Sequence, residues 1–201
     1  MIFLAGELHS AQRVSELIQK YTFDFYAADG GIQIAQKLSL PLSRILGDFD
    51  SAEKPALPGV LLYPSEKDQT DSELALELAL ADGYRDIWMI APFGGRLDHS
   101  VANLCLLEKA FIHHAALRLY DGKNLAFLLE KGVHQLASHF HYISFFPWGK
   151  NAVVTLRDFK YPLDHYTLQL ETPIGISNEP LGNAPSIEIH RGRILCICIE
   201  K

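Results

Sequence analysis

The chain has 201 residues, of which 48% are hydrophobic and 21% are charged. This composition is typical of a folded globular protein and excludes a largely disordered chain. The formal net charge is −6 at pH 7, and the scattered Lys and Arg offer no concentrated basic surface for a nucleic-acid backbone. No segment approaches the roughly 18 consecutive apolar residues of a membrane helix, and the start lacks a basic, apolar leader. We therefore expect a cytoplasmic protein that binds neither nucleic acid nor membrane.

The first 130 residues alternate short apolar runs with helical patterns, which is typical of β/α units. They predict an α/β domain with a mainly parallel sheet, whose apolar strands are buried on both faces. The predicted strands are residues 2–5, 23–27, 44–46, 60–63, 86–90 and 117–120. The predicted helices are residues 11–20, 31–38, 70–81 and 100–113.

The pattern changes after about residue 130. Segments rich in Val, Ile, Thr, Phe and Tyr are now separated by Gly, Pro, Asn and Asp, which predicts antiparallel β-structure. These segments are residues 134–146, 152–156, 166–170, 187–190 and 194–199. We expect an all-β, sandwich-like domain at 131–201 behind the α/β domain at 1–130.

Four loops rich in Asp and Gly follow predicted strands or lead into predicted helices. In an open α/β sheet, ligands bind at the carboxyl ends of the strands, so these loops are candidates for chemistry. No G-x-x-x-x-G-K-[ST] and no G-x-G-x-x-G occurs, which removes the usual phosphate cradle and the dinucleotide fingerprint. The loops read ADGG from Ala28, GDFDS from Gly47, KDQTD from Lys67 and FGGRLDH from Phe93.

Asp48 and Asp50 are two residues apart, so in extended backbone both carboxylates point to the same side. They can then share one hard cation. Magnesium prefers oxygen ligands and is commonly held by one or two carboxylates together with substrate phosphates. The alternative is an ordinary acidic turn, because Asp is common in turns.

Residues 70–73 match a capping box, in which Thr70 caps a helix and Glu73 reaches back to the N–H of the cap. Asp71 then either serves a site or only complements the helix dipole. A helix N-terminus also favours phosphate, and Lys67 adds a positive charge beside it. Acids such as Asp68 would repel a neighbouring phosphate unless a metal ion lay between them.

The Gly94-Gly95 pair allows the backbone to approach a ligand closely. Arg96 can bind phosphate oxygens with two parallel hydrogen bonds. Asp98 is either a metal ligand or simply the N-cap of the next helix, and Asn103 is either a ligand contact or a polar helix residue. Because crowded carboxylates repel one another, four such loops meeting at one edge would need a cation to stay ionised.

In order and spacing, ADGG, GDFDS, KDQTDSELAL and GGRLDHSVANL resemble the signature segments of the thiamine pyrophosphokinase family. The resemblance continues through FFPWG, DFKYPL and GISNE and covers nearly the whole chain. It implies an ATP-binding α/β domain, a thiamine-binding and dimerising β-sandwich, and a homodimer with the vitamin pocket between subunits. It also implies the reaction, in which the pyrophosphoryl group of MgATP is transferred to the hydroxyl of thiamine, giving thiamine diphosphate and AMP.

The resemblance also implies roles for individual residues. Tyr161 stands where relatives often carry Trp, although an aromatic face can still stack on thiamine. The catalytic and metal-binding acids would be Asp48, Asp50, Asp71 and Asp98. The ATP contacts would be Asp29, Gly30, Lys67, Asp68, Thr70, Arg96, His99 and Asn103. The thiamine contacts would be Tyr161, Ser177, Asn178 and Trp148.

Several alternatives remain open from the sequence alone. A pyrophosphokinase for another hydroxymethyl compound, such as a pterin, would carry similar ATP loops. A nucleotide-binding or thiamine-binding module without catalysis is a second alternative, although it would be expected to lack one of the acids. Asp71 and Asp98 are equal candidates for the base that accepts the hydroxyl proton.

Overall fold

The computed structural model describes residues 1–47, 60–62 and 68–201, with the backbone alone for 60–62. The described chain forms two compact units, Met1–Gly122 and Lys123–Lys201. The division lies earlier in the chain than the predicted boundary after residue 130.

Within its described residues, the first unit contains a parallel sheet with helices between the strands. Its strands are β1 (Ile2–Phe3), β2 (Phe25–Ala28), β3 (Leu42–Gly47), β4 (Val60–Leu62), β5 (Asp86–Ile90) and β6 (Ala116–Tyr120). Its helices are α1 (Ala11–Lys20), α2 (Gly31–Lys37), α3 (Asp71–Ala81) and α4 (Leu97–Ile112). The predicted mainly parallel α/β domain is therefore confirmed.

The strand order in this unit is β4-β3-β2-β1-β5-β6. From β1 the chain first builds the sheet outwards on one side through β2, β3 and β4. It then returns to place β5 and β6 on the other side. The order therefore reverses between β1 and β5, and this is the place where open α/β sheets form their ligand crevice.

Capping side chains fix where two of the helices begin. Ser10 accepts a hydrogen bond from the N–H of Arg13, and Thr70 accepts one from the N–H of Glu73 at 3.2 Å. The Thr70 half of the predicted capping box is thus present. Among the described residues, none of these helices has the length and apolar character needed to cross a membrane.

Helix α4 begins at Leu97, three residues before the predicted start at Ser100. Its N-cap is Arg96, whose side chain makes no capping hydrogen bond. Asp98 therefore lies inside the first turn, and the interpretation of Asp98 as the N-cap is wrong. An acid in the first turn is still stabilised by the positive end of the helix dipole.

Gly31 allows α2 to pack directly on β1. A Cβ at this position would lie 2.1 Å from the carbonyl oxygen of Phe3 and 2.4 Å from its carbonyl carbon. Because backbone atoms cannot move aside as a side-chain end can, a larger residue would force the helix away from the strand. The glycine thus sets the position of the turn that precedes α2.

The second unit contains two antiparallel sheets. Side chains from both sheets form one apolar core, with Phe145 and Cys196 from one sheet and Val154 and Ile189 from the other. This arrangement confirms the all-β, sandwich-like prediction. One sheet has the order β7 (Asn124–Leu129), β13 (Ile194–Ile199), β9 (Tyr142–Pro147). The other has the order β11 (Leu163–Leu168), β10 (Ala152–Arg157), β12 (Ser186–Arg191), β8 (Gly132–Gln135).

The structure adds two details that the sequence patterns do not give. The apolar segment 134–146 is not one strand, because β8 and β9 belong to different sheets and residues 136–141 connect them. Strand β7 was not predicted at all. It pairs along its whole length with β13, and this pairing explains why the division of the chain precedes residue 130.

Candidate active site

The candidate site lies at the carboxyl edge of the parallel sheet in the first unit. Parallel strands end at the same edge, so the turn after β2 and the loop after β5 lie on one side of the sheet. Asp48, Asp50 and Lys67, which the sequence also assigns to this edge, lie outside the described residues.

The turn after β2 is held by its own backbone. The N–H of Asp29 donates to the carbonyl of Leu46 at 2.9 Å, and the carbonyl of Asp29 accepts from the N–H of Ile32 at 3.2 Å. Asp29 has a φ of +46°, a conformation that Asp tolerates better than most side chains. The turn therefore joins the end of β3 to the start of α2, and it leaves the exposed Asp29 at the edge of the sheet.

The N-terminus of α3 brings Thr70 and Asp71 to the same edge. Thr70 is exposed and Asp71, the first helical residue, is half-buried. The predicted return contact from Glu73 to the cap is replaced by a hydrogen bond with Lys109, whose Nζ donates to Oε1 of Glu73 at 2.6 Å. The positive end of the helix dipole favours an anion here.

Arg96 and Asp98 form a bidentate ion pair in the loop before α4. The Nε of Arg96 donates to Oδ1 of Asp98 at 3.1 Å, and Nη2 donates to Oδ2 at 2.5 Å. The guanidinium of Arg96 lowers the pKa of Asp98 to about 2, and the N–H of His99 contributes in the same direction. The pKa of Arg96 is raised by the same hydrogen bonds.

The two side chains of this pair are 71% and 62% exposed. An ion pair so accessible to water contributes little to the stability of the fold, and it opens at small cost. Arg96 can therefore turn to a phosphate and Asp98 to a cation. The exposed His99 lies beside them at the start of α4.

The loop from Pro92 to Arg96 is tied back onto α4 by polar side chains. The N–H of Gly94 donates to Oγ of Ser100 at 3.3 Å. Asn103 is buried, and its Nδ2 donates to the carbonyl of Pro92 at 2.7 Å. In this structure Asn103 holds the loop in place, so its expected contact with ATP stays a prediction.

Sequence reasoning did not include the loop after β1 or the residue after β6. The N–H of Gly6 donates to the carbonyl of Ala91 at 3.0 Å, which joins the loops on both sides of the sheet reversal. Asp121 directly follows β6, its side chain is 0% exposed, and its Oδ2 lies 3.5 Å from Nδ1 of His9. Asp121-Gly122 was another Asp/Gly pair after a predicted strand, so the rule used for the other loops would have found it.

The donor atoms at this edge suit a hard cation. Asp71 and Asp98 offer carboxylate oxygens, the ligand type that magnesium prefers. Within the parts of the chain that the structure describes, no three His, Cys, Asp or Glu residues converge as a metal site. The described acids thus fit magnesium in type, and the other predicted ligands, Asp48 and Asp50, belong to the residues that are not described.

The second unit brings three of the four predicted thiamine contacts together. Asn178 is 3% exposed, and its Oδ1 accepts from the N–H of Tyr161 at 3.0 Å, while its Nδ2 donates to the carbonyl of Tyr161 at 2.8 Å. Ser177 donates its N–H to Oγ of Ser144 at 3.0 Å. The fourth predicted contact, Trp148, follows β9, and its N–H donates to the carbonyl of Arg193 instead. Asn178 therefore fixes the backbone that presents the ring of Tyr161, which is 58% exposed.

Comparison with known families decides the relationship. Residues 15–120 match the family described as thiamin pyrophosphokinase, catalytic domain, and residues 133–194 match its vitamin B1 binding domain. The chain belongs to the thiamine pyrophosphokinase family. Between them the two matches span most of both compact units.

Individual relatives agree with this assignment. The thiamine pyrophosphokinase of Bacillus subtilis (strain 168) is 33% identical in an alignment of 161 residues that covers 75% of this chain and 75% of that protein. A crystal structure of thiamine pyrophosphokinase from Bacillus subtilis aligns with a TM-score of 0.86 and 28% identity, over 100% of this chain and 98% of that one. The enzyme from Geobacillus thermodenitrificans aligns with a TM-score of 0.82 and 26% identity over the same shares. The predicted family is therefore confirmed.

The ion pair in the loop before α4 yields a direct prediction. In the Arg96→Gln variant, the pKa of Asp98 should rise from about 2 towards its ordinary value of 3.8, because the hydrogen bonds that stabilise the carboxylate are lost. The side chain of Asp98 will then take up its proton at a higher pH than in the original protein. An NMR titration of the Asp98 carboxyl carbon measures this change.

Arg118→Gln is the matched control, because Arg118 pairs with Asp86 and not with Asp98. This control should leave the titration of Asp98 unchanged. A pKa of Asp98 that stays at about 2 in Arg96→Gln would contradict the pairing seen here.

Proposed function

We propose that this protein transfers the pyrophosphoryl group of MgATP to the hydroxyl of thiamine, giving thiamine diphosphate and AMP. The observation that carries the proposal is the match of both compact units to the two domains of the thiamine pyrophosphokinase family. The amino-terminal unit would bind ATP, and the carboxy-terminal unit would bind thiamine. Relatives with the name thiamine pyrophosphokinase cover the whole chain in three dimensions.

The first unit would bind the polyphosphate at the carboxyl edge of its sheet. Arg96 would release Asp98 and bind phosphate oxygens in the same bidentate geometry. The amides and the dipole at the N-terminus of α3, beside Thr70 and Asp71, would hold further phosphate charge. The adjoining turn carries Asp29 and Gly30, and Lys67, Asp68, His99 and Asn103 complete the proposed ATP contacts.

Magnesium would be held by Asp48, Asp50, Asp71 and Asp98, and it would supply charge neutralisation at the polyphosphate. The carboxylates would otherwise repel the nucleotide. While Arg96 bonds it, Asp98 is a poor proton acceptor because its pKa is about 2. Once Arg96 binds phosphate instead, this effect on Asp98 is lost, so Asp71 and Asp98 are equal candidates for the residue that accepts the proton of the thiamine hydroxyl.

The second unit would bind the vitamin through an aromatic ring and polar groups. The thiazolium ring of thiamine carries a positive charge, and an exposed tyrosine ring attracts cations through its face. Tyr161 offers such a ring, and Asn178 holds the backbone that carries it. Ser177 and Trp148 are the other proposed contacts.

We also propose that the protein is a homodimer. Support comes from apolar side chains that the second unit exposes between β11 and β12, a type of surface that commonly becomes buried between subunits. Sedimentation equilibrium checks this point, since a mass of one chain at micromolar concentration would contradict it. The exposed side chains are Leu170, Ile174, Ile176 and Leu181.

The product analysis tests the reaction. Purified protein is incubated with thiamine, ATP and Mg²⁺, and the products are separated by chromatography. Thiamine diphosphate should form in equal amount with AMP, and a parallel reaction with hydroxymethylpterin should release no AMP. Release of ADP with thiamine monophosphate, or AMP only with the pterin, would contradict the proposal.

Asp71→Asn should lower kcat by about a hundredfold or more, because the variant loses a carboxylate that would bind the cation and is one of the two candidate proton acceptors. Its free energy of unfolding should change by less than about 1 kcal/mol, the usual size of a helix-dipole contribution. Urea unfolding and the product analysis measure the two effects.

Asp86→Asn is the control for Asp71→Asn. Asp86 begins β5 at the opposite, amino-terminal edge of the sheet and is exposed, so turnover should be kept. Near-normal turnover in Asp71→Asn would remove Asp71 from the proposed site.

Tyr161→Ala should raise the KM for thiamine by about tenfold, because the cation loses the ring face against which it would stack. The KM for ATP should stay within about twofold, since Tyr161 lies in the other unit. Tyr166→Ala, which truncates another exposed tyrosine of the second unit, serves as the control. Equal thiamine KM values in the two variants would exclude Tyr161 from the vitamin site.

A further inference from the structure

A network of charged and amide side chains connects α3 with α4. Lys109 of α4 donates to Oε1 of Glu73 at 2.6 Å and to Oε1 of Glu77. Glu73 and Glu77 are one helical turn apart, so both face the same neighbour. The three side chains are 25%, 28% and 40% exposed, which is less than a freely solvated surface pair.

The electrostatics support a persistent contact. Burial opposes the charge of Lys109, yet the hydrogen bonds with Glu73 and Glu77 outweigh it and raise the pKa of Lys109 above its usual range. The pKa of Glu77 is lowered, chiefly by the hydrogen bond from Lys109. Lys109 and Glu77 therefore stay ionised at neutral pH.

The network extends to the segment before α3. The Nε2 of Gln69 donates to Oε1 of Glu77 at 2.8 Å, across eight residues of sequence. Gln69 is half-buried, whereas its neighbours Asp68 and Thr70 are exposed. The amide of Gln69 thus holds the chain against the side of α3, and its neighbours are left at the edge of the sheet.

We propose that Lys109, Glu77 and Gln69 are positioning residues for MgATP binding, which fix residues 68–71 in the conformation that receives the polyphosphate. This inference rests on the function proposed above. The three residues touch neither substrate nor cation in this account. Lys109 holds Glu77, Glu77 holds Gln69, and Gln69 sets the direction in which Asp68, Thr70 and Asp71 are presented.

The same network joins α3 to α4, the two helices that begin at the acidic segments of the site. Helix α4 has Arg96 as its N-cap and Asp98 in its first turn, and α3 starts at Asp71. Because Lys109 binds two carboxylates of α3, it restrains the spacing of the two helices. Loss of either link would leave these segments free to move relative to one another.

Two variants test the proposal, each with its own control. Gln69→Ala removes only the link to the loop, and Gln12→Ala removes a comparable glutamine-to-glutamate hydrogen bond on α1, from Gln12 to Glu16. Lys109→Met removes the positive charge but keeps a side chain of similar length, whereas Lys109→Arg keeps the charge. Calorimetric titration with MgATP in the absence of thiamine measures binding directly, without dependence on turnover.

Gln69→Ala and Lys109→Met should each weaken MgATP binding by about tenfold, the size expected when a hydrogen bond to a charged group is lost. Lys109→Arg and Gln12→Ala should stay within about twofold of the original protein. Hydrogen exchange without nucleotide or metal gives a second readout. The amides of Glu73 and Leu74, which bond to Thr70, should exchange about tenfold faster in the two weakened variants.

Each outcome has a defined meaning. If Gln69→Ala binds MgATP and exchanges these amides like the original protein, the proposal is overturned, even if Lys109→Met is unstable. If the original protein binds MgATP more tightly than Gln69→Ala but forms no thiamine diphosphate, the positioning role stands and the proposed function fails. If the original protein binds no MgATP, both are overturned.

Discussion

The parallel pairing of β1 with β2 and with β5 is the constraint on which the rest of the first unit depends. It brings the loops after these strands to one edge of the sheet. Buried apolar side chains in the strands supply the driving force. Gly31, which has no room for a Cβ, keeps α2 close to β1. The chemistry attributed to the edge follows from this arrangement, because residues far apart in sequence become neighbours only when the strands share direction.

At that edge, charges that repel a nucleotide are held beside charges that attract it. Arg96 lowers the pKa of Asp98 and, by pairing with it, neutralises its charge. An exposed pair is weak enough to exchange partners, so the proposed nucleotide and its cation would each take one member. Lys109 has the opposite character, because it is partly buried between two carboxylates and maintains structure. The site therefore combines groups that can change partners with groups that hold their positions.

Much of the fold could be predicted because local patterns agree with the tertiary structure. The bounds of α1, β5 and β13 match the predictions, since apolar spacing and flanking turns mark their ends. Strand β7 was missed because its partner, β13, lies at the far end of the chain. Residues 134–146 were read as one segment because their composition does not reveal that β8 and β9 join different sheets.

The sequence indicates which residues are candidates for the site, but it does not indicate which of them contact one another. The sequence indicates that Arg96 and Asp98 share a loop, yet it does not reveal that they bind each other. Likewise, the family resemblance predicts that Asn178 is a thiamine contact, whereas its hydrogen bonds to the backbone of Tyr161 depend on two segments meeting. Asp121 could have been found, because it follows a predicted strand as the other acids do.

One measurement tests the central claim, that a divalent cation and a nucleotide bind at the carboxyl edge of the parallel sheet. Paramagnetic Mn²⁺ is added with a non-hydrolysable ATP analogue, and the broadening of backbone amide signals is recorded by NMR. The account predicts that broadening is strongest at Asp29, Asp71 and Asp98, and weak at Asp24 and Asp86 at the opposite edge. Broadening centred on the opposite edge, or none at the first three residues, would contradict it.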